Sequence, residues 1–221
     1  MIPSRSDEEA KDFNATALAA QAAAKRAVDR MKAAGSLKKA IQRLGHIGDA
    51  ELSWDRVPGG ESVRKVVRQA IEQRRYPIYL HGPAGVGKSS LMRLVFDAAR
   101  AAEGVWAIWR RADEALYDLA TSSGIDRASQ KALLHKCGHL FLDDLGTRQP
   151  SPQMYSDLFD LLEARVRRPL WVTSNVSPEG LGHMGYDDRI YTRMLMGTVI
   201  EIQGDNQRVK DGKRFLAKDK K

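Results

Sequence analysis

Cysteine is nearly absent: Cys137 is the single one in 221 residues. One thiol excludes a disulfide framework and a cysteine-rich zinc site, and it suits a reducing compartment such as the cytoplasm. Long apolar runs are missing too. No stretch of about 18 consecutive apolar residues occurs, so no segment reads as a membrane-spanning helix. The alanine-rich N-terminal stretch does not read as a secretion signal. Asp12, Lys25 and Arg26 interrupt it, and Asp7, Glu8 and Glu9 precede it. Acid is in short supply: 28 Asp and Glu stand against 36 Lys and Arg, a formal charge of +8. That excess favours a polyanionic partner, although ordinary soluble proteins carry it as well. What is present is a hydrophobic fraction of 43%, enough for a core. The length suits one α/β domain with an appendage of about fifty residues.

Residues 8–34 are rich in Ala, Lys and Arg, with Phe13, Ala17, Ala24, Val28 and Met31 at helical spacing. Gly35 and Ser36 break this helix, and Leu37, Ile41 and Leu44 start a second amphipathic segment ending near Gly45. Alanine forms helices well but buries little area. Residues 1–50 are therefore expected to form a helical arm that docks on a partner or stays solvated, not an independent globule. A linker from Trp54 to Gly60 follows, then a helix over 61–75 burying Val63, Val66, Val67, Ala70 and Ile71. Strands are predicted after Pro77 and at Val105–Trp109, His139–Asp143, Leu170–Thr173 and Thr198–Ile202. Between them lie a helix burying Leu91, Leu94, Val95, Ala98 and Ala102, two short helices in 112–136, one over 153–167 and one near 187–196. This alternation predicts a five-stranded parallel sheet sandwiched by helices, with ligands at the strands' carboxyl ends.

The segment Tyr76–Ser90, YPIYLHGPAGVGKSS, reads as a strand, a glycine-rich turn and a helix start. From Gly82 to Ser89 it fits G-x-x-x-x-G-K-[ST], the phosphate-cradling P-loop. Gly82, Gly85 and Gly87 let the backbone curl and aim N–H groups at phosphate oxygens, with Pro83, Ala84, Val86 and Ser90 completing the cradle. The following helix adds its positive end. Lys88 is placed for the β- and γ-phosphates and the Ser89 hydroxyl for Mg²⁺. HLFLDDLG then sets two acids after an apolar strand: Asp143 for the metal through its water shell, Asp144 to orient or activate the attacking water. Asp144 is one methylene shorter than glutamate, which points to slow hydrolysis. In WVTSNVSP the Asn175 amide suits the γ-phosphate and the lytic water, or else caps a helix. In YDDRIYTRML, Arg189 and Arg193 share one helical face. Either they reach a neighbouring subunit's triphosphate, or they form a surface stripe paired with Asp187, Asp188 or solvent.

GPAGVGKS, HLFLDDLG, VTSNVSP and DDRIYTRML occur in an order that resembles the DnaC/IstB branch of AAA+ ATPases, the helicase loaders and their transposition relatives. The resemblance covers about residues 52–203 and implies an AAA+ domain there, between the arm and a basic tail over 204–221. It implies that Gly82–Ser89 are Walker A, Asp143 and Asp144 Walker B, Asn175 sensor 1, and Arg189 and Arg193 the arginine-finger segment, with Arg193 the better match. Trp54 matches loosely an aromatic ahead of the adenine-side helix. Arg110, Arg111, Arg127, Lys131 and Lys136 fall where initiator-type relatives insert a DNA-facing helix. The C-terminal lid is expected to be reduced, since about twenty residues follow Ile202. The arm has no cysteines for the zinc that some loaders carry. The tail from Arg208 has seven basic residues against two acidic ones and suits nucleic acid or a solubilising end. The implied activity is weak ATP hydrolysis with Mg²⁺, dependent on DNA or assembly, in a bacterial or phage-encoded protein of the cytoplasm. The implied partners are the hexameric replicative helicase, single-stranded DNA and further copies of the chain. An IstB-like helper acting on double-stranded DNA with a transposase is the alternative. A small-molecule kinase, or a switch that binds ATP without turnover, are readings of other classes.

Overall fold

The computed structural model describes residues 59–101 and 105–206. The predicted arm over 1–50, Trp54, Ala102 and the tail from 207 lie outside the described residues. Five strands, β1 (Ile78–His81), β2 (Ala107–Arg111), β3 (His139–Leu145), β4 (Leu170–Ser174) and β5 (Thr198–Glu201), form one sheet in the order β2-β3-β4-β1-β5. Every pairing is parallel. The helices are α1 (Gly60–Glu72), α2 (Lys88–Ala101), α3 (Ala112–Thr121), α4 (Gly124–Lys136), α5 (Pro152–Ala164), α6 (Pro178–His183) and α7 (Asp188–Leu195). The fold is the α/β sandwich that the alternating pattern predicts.

The pleat decides which helix covers which face, because alternate side chains point to opposite sides. Ile78, Leu80, Phe141 and Trp171 point to one side and bury against Val67 and Ala70 of α1 and Leu91, Met92 and Val95 of α2. Tyr79, Leu140, Leu142 and Val172 point to the other and bury against Leu116 of α3, Leu158 and Leu161 of α5, Leu181 of α6 and Ile190 of α7. Each such side chain contributes about 1.5–3 kcal/mol when taken fully out of water. Across the α1–α2 face, Trp109, Phe141 and Trp171 stack ring on ring at 6.1 and 5.8 Å.

Several boundaries differ from the sequence expectation. The first helix stops at Glu72, not 75, because Arg74 turns left-handed at φ 52° ahead of Pro77. Val66 is 36% exposed, at the edge of the stripe formed by Val63, Val67, Ala70 and Ile71. The second strand lies at Ala107–Arg111, two residues later than Val105–Trp109. It pairs with β3 from Ala107 opposite His139 to Arg111 opposite Asp143, so Arg110 and Arg111 are strand residues. An edge strand tolerates such charges, since one side faces water. The 153–167 helix ends at Ala164, and Arg167 turns left-handed at φ 60°. Helix α6 carries no apolar periodicity, and the sequence points to it only through the alternative of Asn175 as a cap. Its start is set by Ser177, which caps the Gly180 N–H at 3.2 Å, and by Pro178 in the first turn.

Candidate functional site

Strand β1 is buried and hands the chain directly to the glycine-rich turn. At Gly82, φ is 144° and a Cβ would fall 2.1 Å from the Ile202 carbonyl oxygen, so only glycine passes here. The turn ends where α2 begins, at Lys88 itself. That aims the helix's first N–H groups and its positive end into the turn. Lys88 is 5% exposed. Its ammonium donates to the carbonyls of Gly82 and Pro83 and to the Asn175 Oδ1, each at 2.8 Å. The charge is thus held inside the loop, across from the end of β4.

The second cluster joins the start of α2 to the ends of β3 and β4. Ser89 Oγ donates to Asp143 Oδ1 at 2.9 Å. Thr173 Oγ1 also donates to Asp143 Oδ1, and it accepts the Asp144 N–H at 2.9 Å. The register of β3 against β4 slips between Leu142 and Leu145, and Asp144 is left-handed at φ 59°. Non-glycine residues seldom adopt that conformation, and it concentrates at functional sites. The slip falls at the two consecutive acids, where the strand leaves its regular alternation. Arg111, from the end of β2, lies 3.9 Å from Asp144 and 3.4 Å from Glu114.

Asn175 is not a helix cap. Ser177 takes that role, while Ser174 Oγ donates to the Leu145 carbonyl at 2.8 Å and accepts the Val176 N–H at 3.2 Å. The Asn175 amide is left for Lys88. Beside the loop, burial pushes the His81 imidazole below its ordinary range; Glu201 and Glu179 oppose this and Lys88 reinforces it. The ring is therefore neutral at physiological pH and adds no positive charge.

The arginines of α7 are not part of this cluster within one chain. Arg189 pairs with Asp187 at 3.0 Å and lies over the Tyr155 and Phe159 rings at 5.4 and 5.0 Å. Arg193 pairs with Glu163 and donates to Met196 Sδ at 3.1 Å. The basic residues assigned to a DNA-facing segment are largely paired as well. Arg110 meets Asp118 at 2.6 Å, Arg127 meets the buried Asp157 at 2.5 Å, and Lys131 meets Asp160 at 2.6 Å.

The donor set fits a hard divalent cation: a hydroxyl and a carboxylate, all oxygen. Among the described residues no group of three or more His, Cys, Asp or Glu could hold a metal. Two protein oxygens alone suit Mg²⁺, which keeps waters and takes phosphate oxygens for the rest.

A sequence profile for the AAA ATPase domain matches residues 57–172. The chain belongs to this AAA ATPase family. No curated protein matches the sequence significantly. Among solved structures, AMPPCP-bound DnaA from Aquifex aeolicus superposes with a TM-score of 0.60 at 20% identity, covering 77% of this chain and 55% of that one. A DnaC helicase loader gives 0.56 at 16% identity, over 72% and 93%, and a DnaI structure 0.53 at 22%, over 75% and 88%. This chain spans about half the length of two DnaA structures solved with AMPPCP, 55% and 51%. At such identities the likeness is one of fold.

Within this AAA ATPase domain, two residues near the paired acids escaped sequence reasoning. Thr173 was read as a strand end, yet it ties both acids in place. Asp113, 4% exposed in the first turn of α3, accepts the N–H groups of Gly146 at 3.3 Å, Thr147 at 3.0 Å and Arg148 at 3.2 Å. It pins the loop that leaves β3. An acid opening a helix gives no sequence sign of that task.

Proposed function

We propose that this AAA ATPase domain binds and hydrolyses Mg²⁺–ATP and serves replication initiation as a loader of the replicative helicase. One observation carries the nucleotide reading: Lys88–Asn175 and Ser89–Asp143 converge from α2, β3 and β4 around a glycine turn. The loop N–H groups, the α2 N-terminus and Lys88 bind phosphate. Ser89 and Asp143 would hold Mg²⁺, which would supply positive charge to offset that of the triphosphate. Asp144 accepts the proton of the attacking water, and Asn175 leaves Lys88 to orient that water and the γ-phosphate. Arg193 of a neighbouring copy, with Arg189 beside it, meets the charge that develops on the transferred phosphoryl group.

The loader role is supported by the fold shared with a DnaC helicase loader and with a DnaA initiator solved with AMPPCP and single-stranded DNA. The formal charge of +8 suits the same polyanion. In this reading the arm over 1–50 grips the hexameric helicase in the cytoplasm, and ATP-bridged copies line up along single-stranded DNA. Among the described residues no helix is long and apolar enough to cross a membrane.

ATP hydrolysis by the purified full chain, with and without single-stranded DNA, tests the nucleotide part. Lys88→Ala is expected to reduce ATP affinity by at least about tenfold, since a charge-assisted contact is lost. Unchanged affinity would refute the phosphate role of the loop. Co-purification with the replicative helicase tests the partner, and deleting residues 1–50 should abolish it while ATP binding persists.

A further inference from the structure

Asp144, the acid proposed to activate water, sits on unusual backbone: it is left-handed at φ 59°, and Gly146 follows at 77°. A residue with a Cβ stays in that region only where its surroundings hold it there. Strand β4 supplies two of the holds. Thr173 Oγ1 accepts the Asp144 N–H at 2.9 Å, and Ser174 Oγ donates to the Leu145 carbonyl at 2.8 Å. Beyond Leu145 the strand has ended, and the next hold comes from α3.

Asp113 is 4% exposed, and both its oxygens accept from this exit. Oδ1 takes the Gly146 N–H at 3.3 Å. Oδ2 takes the N–H groups of Thr147 at 3.0 Å and Arg148 at 3.2 Å, together with the Thr147 hydroxyl at 2.5 Å. A carboxylate is costly to bury unless it is well hydrogen-bonded or paired. The cation beside it is loose: Arg148 Nε stands 4.0 Å away on a side chain 57% exposed. Three successive N–H groups therefore meet the charge, and they converge on one carboxylate only while the loop keeps a single shape. Arg111 is no substitute for this hold. It lies 3.9 Å from Asp144 and is 56% exposed, and so wet a pair is weak.

We propose that Asp113 is a positioning residue for hydrolysis, an inference resting on the ATPase reading of the same site. By fixing Gly146, Thr147 and Arg148 it keeps Asp144 left-handed and its carboxylate aimed at the attacking water. With the loop released, Asp144 relaxes toward extended backbone and its side chain swings away. Asp143 keeps its place, since Ser89 and Thr173 hold it. The full chain is assayed for hydrolysis at saturating Mg²⁺–ATP, and ATP affinity is read separately by calorimetry. Asp113→Asn keeps the shape but turns one oxygen into a donor facing N–H groups. Its hydrolysis should fall at least about tenfold, as misplacing a reacting group does, while affinity stays within about twofold. Thr147→Val, at an exposed position, removes one of the four donors and should slow hydrolysis about threefold. Melting curves set an assay temperature at which each protein is folded. The proposal is overturned if folded Asp113→Asn matches the parent's rate, or if affinity falls in step with the rate. Should Asp113→Asn not fold, Thr147→Val decides, and an unchanged rate there overturns the proposal. A parent that hydrolyses ATP while both variants match it removes this inference alone. A parent that hydrolyses none, with or without single-stranded DNA, removes the ATPase reading with it.

Discussion

Thr173 touches both acids: it donates to Asp143, as Ser89 also does, and it accepts the Asp144 N–H. Thr173→Val keeps the shape and removes both, leaving a left-handed Asp144 without its tether. A stability loss of about 1–2 kcal/mol is expected from the unmet N–H. The sharper effect should fall on the metal: nucleotide affinity measured with Mg²⁺ should drop more than affinity measured in chelator. Equal losses in both conditions would reduce Thr173 to ordinary packing. His139 acts on folding instead. Burial, with the Arg165 guanidinium adding to it, pushes the His139 imidazole from 6.5 down to about 3. The unfolded chain binds a proton below pH 6.5 and the folded chain does not until about pH 3. Its contribution is therefore complete above pH 6.5 and is lost as pH falls toward 3. The slope reaches about 1.4 kcal/mol per pH unit. Urea unfolding at pH 7.5 and pH 5 should show a drop smaller by about 2 kcal/mol for His139→Phe than for the parent, since the slope acts only below the unfolded value of 6.5. His81 and His135 are pushed the same way by burial, so part of the drop must remain. An identical drop in the variant would show that His139 is not the group responsible.

Among the elements, the joint between α4, α5 and the lower ends of β3 and β4 is closed chiefly by Arg165, with Arg168 also donating to the His135 carbonyl at 2.6 Å. Arg165, the C-cap of α5, is 1% exposed, and among the described residues no carboxylate pairs with it. It donates to the carbonyls of Leu134 at 2.9 Å, His135 at 3.3 Å, Cys137 at 3.1 Å, Gly138 at 3.3 Å and Pro169 at 2.5 Å. These include the last carbonyls of α4, where a positive charge is favoured. Burial brings its pKa down to about 10, so it stays charged at neutral pH. Arg165→Met should cost about 3–5 kcal/mol in chemical denaturation, from several carbonyls left dry at once. Lysine should not rescue it, since a single ammonium cannot spread across the fan. A loss below about 1 kcal/mol would show that water replaces the guanidinium. Nothing in the sequence around Arg165 marks this role, because its partners are backbone atoms brought together only by the fold. The strands were legible for the opposite reason: Ile78–Leu80, Leu140–Leu142 and Leu170–Val172 are apolar runs whose burial needs no partner to be specified. The glycine turn, Lys88, Ser89 and Asp143 were legible because their spacing encodes a local shape. The register slip at Asp143 and Asp144, the shift of β2 by two residues and the cap-set helix α6 depend on pairing register and backbone contacts, which periodicity does not carry.

For the whole molecule, the question is what one chain leaves undone. The loop cluster holds a cation, acids and an amide, while the α7 arginines lie on α5, paired with Asp187 and Glu163. The Arg193 and Glu163 side chains are 30% and 39% exposed, and a pair so wet is worth about 1 kcal/mol or less. Arg193 can therefore leave Glu163 at little cost when a neighbouring copy presents a triphosphate. On the proposed reading, Arg193→Ala leaves ATP affinity within about twofold of the parent while hydrolysis falls at least tenfold, a modest share of the 10³–10⁵ such a guanidinium supplies elsewhere. Glu163→Ala should spare hydrolysis, because it removes only the resting partner. The decisive arm mixes two inactive proteins: Lys88→Ala, which keeps its arginine but lacks a working loop, and Arg193→Ala, which has the converse defect. If the site is completed between copies, each Lys88→Ala chain lends its guanidinium to a competent neighbour and the mixture hydrolyses ATP faster than either protein alone. A guanidinium acting within its own chain predicts no such recovery, because neither partner would own a complete site. Mixtures that match the sum of their parts, at concentrations where the parent assembles, would return Arg193 to the surface stripe with Glu163.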